Sequence, residues 1–149
     1  MTNKKKEMLP DLASVSIKRS TLDDKVFENL KSIVRSKESL IKKALGTETL
    51  RIETSDQKIT FPWFVMEQPE DMSAYSVFIE KLCDMAKTLK RVNAKEEKVV
   101  DNEKYAFRCF LLRLGMVGDQ YKETRKVLLR NLSGSAAFKS GARKQEVAV

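Results

Sequence analysis

The stretch 49-TLRIETSDQKITFPWF-64 decides whether this chain is all-helical or mixed. Leu50 and Ile52 alternate with polar neighbours, the polar run Thr54–Gln57 follows, and Ile59 and Phe61 resume the alternation. A period of two on either side of a polar turn is a β-hairpin signature. Pro62 has no amide hydrogen to give to a ladder, so it marks a strand end or an edge. Two strands alone are marginal in water, so the hairpin must lie against helices, with Trp63 and Phe64 as its packing residues. An exposed aromatic recognition patch is the alternative for those two rings.

Working outward, the flanks read as helices. Upstream, Val26, Phe27, Leu30, Ile33, Val34, Leu40, Ile41, Ala44 and Leu45 recur at three- and four-residue steps. They form the inner face of a helix that opens at Thr21, with Asp24 in a capping-box position, and stops at Gly46. Lys37 interrupts the stripe, so a kink or break is expected there. Downstream, Pro69, Glu70 and Asp71 suit a first turn, and Met72, Tyr75, Phe78, Ile79, Leu82, Met85, Ala86 and Leu89 form a second stripe. Lys87, Lys90 and Arg91 suit that helix's C-terminal end, and the polar run 93–103 reads as a linker. The stretch 102-NEKYAFRCFLLRLG-115 is apolar on nearly every side and is expected at the centre of the fold, with Arg108 and Arg113 reaching outward. A tight 115-GMVGD-119 connection leads to a last helix, from an Asp119 cap to about Leu132, with Tyr121, Val127, Leu128 and Leu132 inward.

This order predicts a mainly α, α+β fold. It has a four-helix-type core with one short β-hairpin, near 49–64, between the first and second long helices. Residues 1–20 show no clean period and are expected to form a flexible basic arm. Residues 21–132 form a single helical domain, and 133–149 a flexible basic tail anchored at Phe138.

Composition narrows the function. At 149 residues, with 42% hydrophobic and 34% charged, the chain can bury a core without staples. No apolar run approaches the ~20 residues of a membrane span, and the start lacks the apolar region of a secretory signal, so a cytoplasmic protein is expected. Histidine is absent and there are two cysteines, Cys83 and Cys109. Those counts exclude Ser-His-Asp and Cys-His nucleophiles and an ordinary structural zinc site within one chain. Both cysteines fall in apolar patterns and are expected buried and reduced. The net charge of +8 sits at the ends: +3 over residues 1–20, +1 over 21–114 and +4 over 115–149. Basic ends favour a polyanionic partner, or serve as solubilising tails.

The last helix carries Lys122, Arg125, Lys126 and Arg130 at steps that cluster them on one side, opposite Leu128 and Leu132. The tail adds Lys139, Arg143 and Lys144. These seven are the candidate binding residues for DNA or RNA. The helix–GMVG–helix unit invites a helix-turn-helix reading, but its first helix lacks the polar residues that usually cross a DNA backbone. Asp84, Glu96, Glu97 and Lys98 are the acidic group to weigh for catalysis. The Glu-x-Lys spelling belongs to metal-dependent nucleases, but such ligands need rigid strands, and here they fall on a helix face and in a linker. GMVGDQ lacks the lysine and serine of a phosphate loop. A non-enzyme is expected, with no cofactor, no metal and no small-molecule substrate.

The segment 101-DNEKYAFRCFLLRLGMVGDQYKETRKVLLRNLSGSAAFK-139 resembles the C-terminal part of a family of small "virulence-related" proteins from conjugative and other mobile elements of Gram-positive bacteria. The resemblance rests on Asn102–Tyr105, RLGMVG at 113–118, Tyr121–Lys122, Arg125–Lys126 and NLSGSAAFK at 131–139. It extends more loosely to 30–46 and 86–91. This chain departs from the family in its brief hairpin and in lacking an extra N-terminal module. The resemblance implies a mobile-element setting without an established catalytic activity, and it assigns no site residues. The expected function is therefore a non-enzymatic mobile-element accessory protein that binds nucleic acid or a nucleoprotein complex. The alternative is an anti-defence inhibitor of the anti-CRISPR type, acting on a host nuclease–guide complex; a metal-dependent nuclease is the third reading.

Overall fold

The hairpin segment folds into a sheet that has a further member. In the computed structural model, which describes residues 12–89 and 102–134, the strands are β1 (Ala13–Lys18), β2 (Glu53–Thr54) and β3 (Lys58–Phe64). They form one antiparallel sheet with β3 in the middle. The rest is mostly helical: α1 (Asp24–Ser36), α2 (Glu38–Leu45), α3 (Asp71–Thr88), α4 (Glu103–Arg113) and α5 (Lys122–Leu129). Residues 1–11, the linker with Lys90, Arg91, Glu96, Glu97 and Lys98, and the tail with Phe138, Lys139, Arg143 and Lys144 lie outside the described residues.

Strand β1 corrects the expectation of an arm over residues 1–20. Ala13, Val15 and Ile17 face the core while Ser14, Ser16 and Lys18 face solvent, which is strand alternation. Val15 lies opposite Phe61 and Ile17 opposite Ile59, but Ala13 lies opposite Phe64, so β3 carries one extra residue. Pro62 sits in that bulge, where a residue without an amide hydrogen is tolerated inside a sheet. The bulge also explains why Phe61, Trp63 and Phe64 are all buried instead of alternating. The hairpin proper is shorter than the residue pattern indicates: β2 pairs only Glu53 with Thr60 and Thr54 with Ile59. Leu50 and Ile52 precede the strand and pack on the core. The Trp63 indole N–H donates to the Arg51 carbonyl at 2.7 Å, so this backbone is held by a side chain instead of a ladder.

Helix α1 is capped by Asp23, which accepts the Val26 N–H at 2.8 Å; Thr21 belongs to a short 3-10 turn before it. The break at Lys37 separates α1 from α2, and Gly46 ends α2 at φ 72°, a left-handed conformation suited to glycine. Buried Asn29 reaches across to α3 and donates to the carbonyls of Ala86 at 3.2 Å and Leu89 at 2.9 Å, satisfying groups that a helix end leaves open. The core is aromatic. Phe61 meets Trp63 edge-on at 5.2 Å between centroids, Phe64 stacks on Tyr75 at 4.5 Å, and Phe107 lies 6.0 Å from Phe78 and 5.9 Å from Phe110.

Helix α4 is not central. It buries Phe107, Phe110 and Leu111, while Tyr105, Cys109 and Leu112 are half-exposed on its other side. Among the described residues, its neighbours α2, α5 and the Phe78 ring of α3 cover the Phe107, Phe110 and Leu111 side. The last helix is also shorter than expected: Asp119–Tyr121 is a 3-10 turn, α5 ends at Leu129, and Leu132 is buried beyond it.

Candidate binding surface

The four basic residues of the last helix do not share one surface. Arg125 turns back and donates through Nη1 to the carbonyls of Met116 at 2.7 Å and Gly118 at 3.1 Å. It thereby closes the turn whose glycines, Gly115 and Gly118, stand at φ 104° and 95°, so the turn's carbonyls converge on a guanidinium.

Arg130 lies one step past the end of α5 and forks onto buried Asp71 at the start of α3, Nη1 to Oδ1 at 3.1 Å and Nη2 to Oδ2 at 2.7 Å. Asp71 also accepts the N–H groups of Glu67 at 3.0 Å and Gln68 at 3.1 Å. Nη2 of Arg130 donates to the Tyr75 hydroxyl at 3.2 Å, and that hydroxyl donates to the Val65 carbonyl at 2.8 Å. The remaining guanidinium nitrogen, Nε, lies 3.5 Å from Glu67 Oε2, an ion pair without a hydrogen bond. The Arg130 hydrogen bonds, joined by the two backbone N–H groups and working against burial, hold the Asp71 carboxyl down at about 2. Burial pushes the Tyr75 phenol up. Arg130 and Arg125 are thus internal ties, where the residue spacing placed both on an outer face.

Lys122 and Lys126, one turn apart on α5, remain exposed. Among the described residues neither has a carboxylate within ion-pair distance. Lys81 of α3 approaches the same region: its ammonium lies 5.2 Å from the centre of the Tyr121 ring, and the interaction with Tyr121 raises its pKa. This third lysine was absent from the reading of the residues, because nothing local in a sequence links position 81 to position 121. Of the acidic candidates, Asp84 is exposed on α3. Among the described residues, no group of three or more Cys, Asp or Glu is arranged to hold a metal, and no helix is long and apolar enough to cross a membrane.

The segment after α5 has a structural role at its start. The Asn131 side chain donates to the Ala44 carbonyl at the end of α2 at 2.9 Å. Gly134, at φ 108°, packs so closely on Asn102 that a Cβ there would fall inside the Asn102 side-chain carbonyl. That carbonyl caps α4 by accepting the Tyr105 N–H at 3.1 Å. Lys43 of α2 pairs with Glu103 beside the same cap.

Compared with family models, curated proteins and solved structures, the chain shows no match to any of them.

Proposed function

We propose that this chain is a non-enzymatic accessory protein of a mobile element that holds a nucleic acid, or a complex containing one, by lysine contacts to phosphates. The observation that carries this reading is the pair Lys122 and Lys126, exposed and, among the described residues, without a carboxylate partner on a helix whose Arg125, like Arg130 just past its end, is tied inward. Lys81 stands at the start of the same helix, and Lys139, Arg143 and Lys144 follow it in the chain. Lysines act on phosphate as point charges, whereas base edges are read best by the planar fork of arginine. The contact is therefore to backbone, strongly salt-dependent and weakly sequence-dependent.

The test is a salt titration of binding to a short duplex, to a single strand, and to a guide-loaded nuclease. Each neutralised phosphate contributes roughly 0.9 to the slope of log affinity against log salt, so Lys122→Ala with Lys126→Ala should flatten the slope by about 2. An unchanged slope removes α5 as the contact surface. Retention by the guide-loaded nuclease alone replaces this reading with that of a defence inhibitor.

A further inference from the structure

Strand β1 is an edge of the sheet, since the strand order is β1-β3-β2. The Arg19 N–H bonds to the Gln57 carbonyl in the same register that pairs Ile17 with Ile59 and Val15 with Phe61. In an antiparallel ladder the bonding direction alternates, so the N–H and C=O groups of Ser14, Ser16 and Lys18 point away from β3. Among the described residues no other strand pairs with them. Six residues of edge with small side chains form a template for strand addition, and Lys18 at the far end is the only charge blunting it.

A groove of about 630 Å³ runs along this edge between β1 and α3. Both Ser16, an outward-facing residue, and Val15 and Ile17, inward-facing ones, line it, so it opens onto the strand's free side. Its far wall is α3, with half-exposed Val77 beside Glu80 and Asp84. Neither carboxylate forms an ion pair with a described residue, and Lys87 is the one cation among the lining residues. Among the lining residues two carboxylates face one cation, and Lys81 lies beside them on α3.

We propose that this edge and groove take up an extended strand from a partner protein, one that places an aliphatic side chain and a lysine or arginine two residues apart, on the same face. Backbone pairing with Ser14, Ser16 and Lys18 would hold the strand. Alternate side chains would then face α3, the aliphatic ones against Ile17 and Val77 and the cation toward Glu80 and Asp84. Glu80 and Asp84, which also act on Lys81 beside Tyr121, disfavour phosphates in the groove itself. The groove does not suit a second copy pairing through its own β1 either, because the groove-facing positions of that strand are Ala13, Val15 and Ile17, with no cation to meet the carboxylates.

The probes are two peptides of about eight residues, enough to pair along a strand of this length, with serine at every second position and, on the other face, valine alternating with lysine in one and with glutamate in the other. Binding is followed by fluorescence anisotropy, and the exchange of the Ser16 and Lys18 amides by NMR. The valine–lysine peptide should bind and slow exchange at both amides, and the valine–glutamate peptide should not bind. Ser16→Pro removes an edge donor that β3 does not use, so Trp63 fluorescence should stay native while binding is lost. Glu80→Lys with Asp84→Lys should weaken binding by about tenfold, the scale of two screened charge contacts. Equal binding of the two peptides, or binding that survives Ser16→Pro, overturns the proposal. So does an unliganded protein in which these amides are already protected: a dimer on sizing would assign the edge to a second copy, a monomer to the chain itself.

Discussion

Replacing Asp71 with asparagine tests whether the Arg130 fork holds the last helix onto α3. The side chain keeps its shape but loses its charge, leaving a guanidinium facing a neutral amide. Two independent routes give the magnitude. A carboxyl that ionises at about 2 when folded and about 3.9 when unfolded contributes roughly 2.5 kcal/mol at neutral pH. Breaking a buried ion pair costs about 3–5 kcal/mol, and the Arg130 side chain keeps 23% of its exposure, which lowers the expectation to about 2–3 kcal/mol. With a urea slope of roughly 2 kcal/mol per M, the midpoint should fall by about 1 M at pH 7, read by the fluorescence of buried Trp63. The pH dependence carries the sign. Because the folded value is depressed, the stabilisation is complete above about pH 4 and disappears as pH falls through about 2. The gap between native protein and Asp71→Asn should therefore shrink to about half at pH 3. Equal midpoints at pH 7 would refute the argument, and so would a gap that stays constant down to pH 3, because that would assign the loss to shape and not to charge.

The other expectations separate structural from surface residues. Arg130→Ala should lower the urea midpoint about as far as Asp71→Asn and leave the salt slope of nucleic-acid binding unchanged, whereas Lys122→Ala with Lys126→Ala should do the reverse. Asn29→Ala, which strips the Ala86 and Leu89 carbonyls of their donor, should cost about 1–3 kcal/mol by the same denaturation. Gly134→Ala combines a strained φ with a clash at the α4 cap and should cost about 2 kcal/mol or more; a melt superimposing on that of the native protein would disprove the contact. The Cys83 thiol is buried and pushed up to about 11, so at pH 8 a thiol reagent should modify half-exposed Cys109 first and reach Cys83 only in denaturant.

Much of the fold could be read from local pattern, and the misses share a cause. The α1 stripe, the break at Lys37, the Gly46 stop and the α3 stripe are all encoded within a few residues. Strand β1 was also written locally, since ASVSIK alternates, but its partner is β3, more than forty residues on, and no turn signal connects them. Helix α4 misled in the opposite way. Its composition is that of a central helix, yet burial depends on how many neighbours arrive, and among the described residues they pack on the Phe107, Phe110 and Leu111 side. On the candidate surface, helical spacing gives Arg130, whose backbone stays helical, an outer face because no local signal shows that Asp71 packs against it. The helix ends at Leu129, and the guanidinium swings to a carboxylate fifty-nine positions away.

The contacts of residues 125–134 explain why basic residues so close together divide between two tasks. Arg125 closes the turn before α5, Arg130 anchors the start of α3, Asn131 covers the end of α2, and Gly134 lies on the cap of α4. Three of these contacts give a donor to an acceptor, the turn's carbonyls, the buried Asp71 carboxylate and a carbonyl at a helix end, and Gly134 leaves room for the Asn102 cap. Such acceptors call for planar or directional donors, which guanidinium and amide supply and an ammonium on a flexible stem does not. The two arginines and the asparagine are therefore tied to groups of the fold, while Lys122 and Lys126 are exposed and, among the described residues, have no carboxylate partner. An exposed charge with no partner contributes little to stability. Charge-conserving exchange should consequently be asymmetric. Lys122→Arg should leave both stability and salt slope intact, whereas Arg130→Lys, which keeps the charge but loses the fork, should destabilise nearly as much as Arg130→Ala. Full stability in Arg130→Lys would show that charge alone holds the helix.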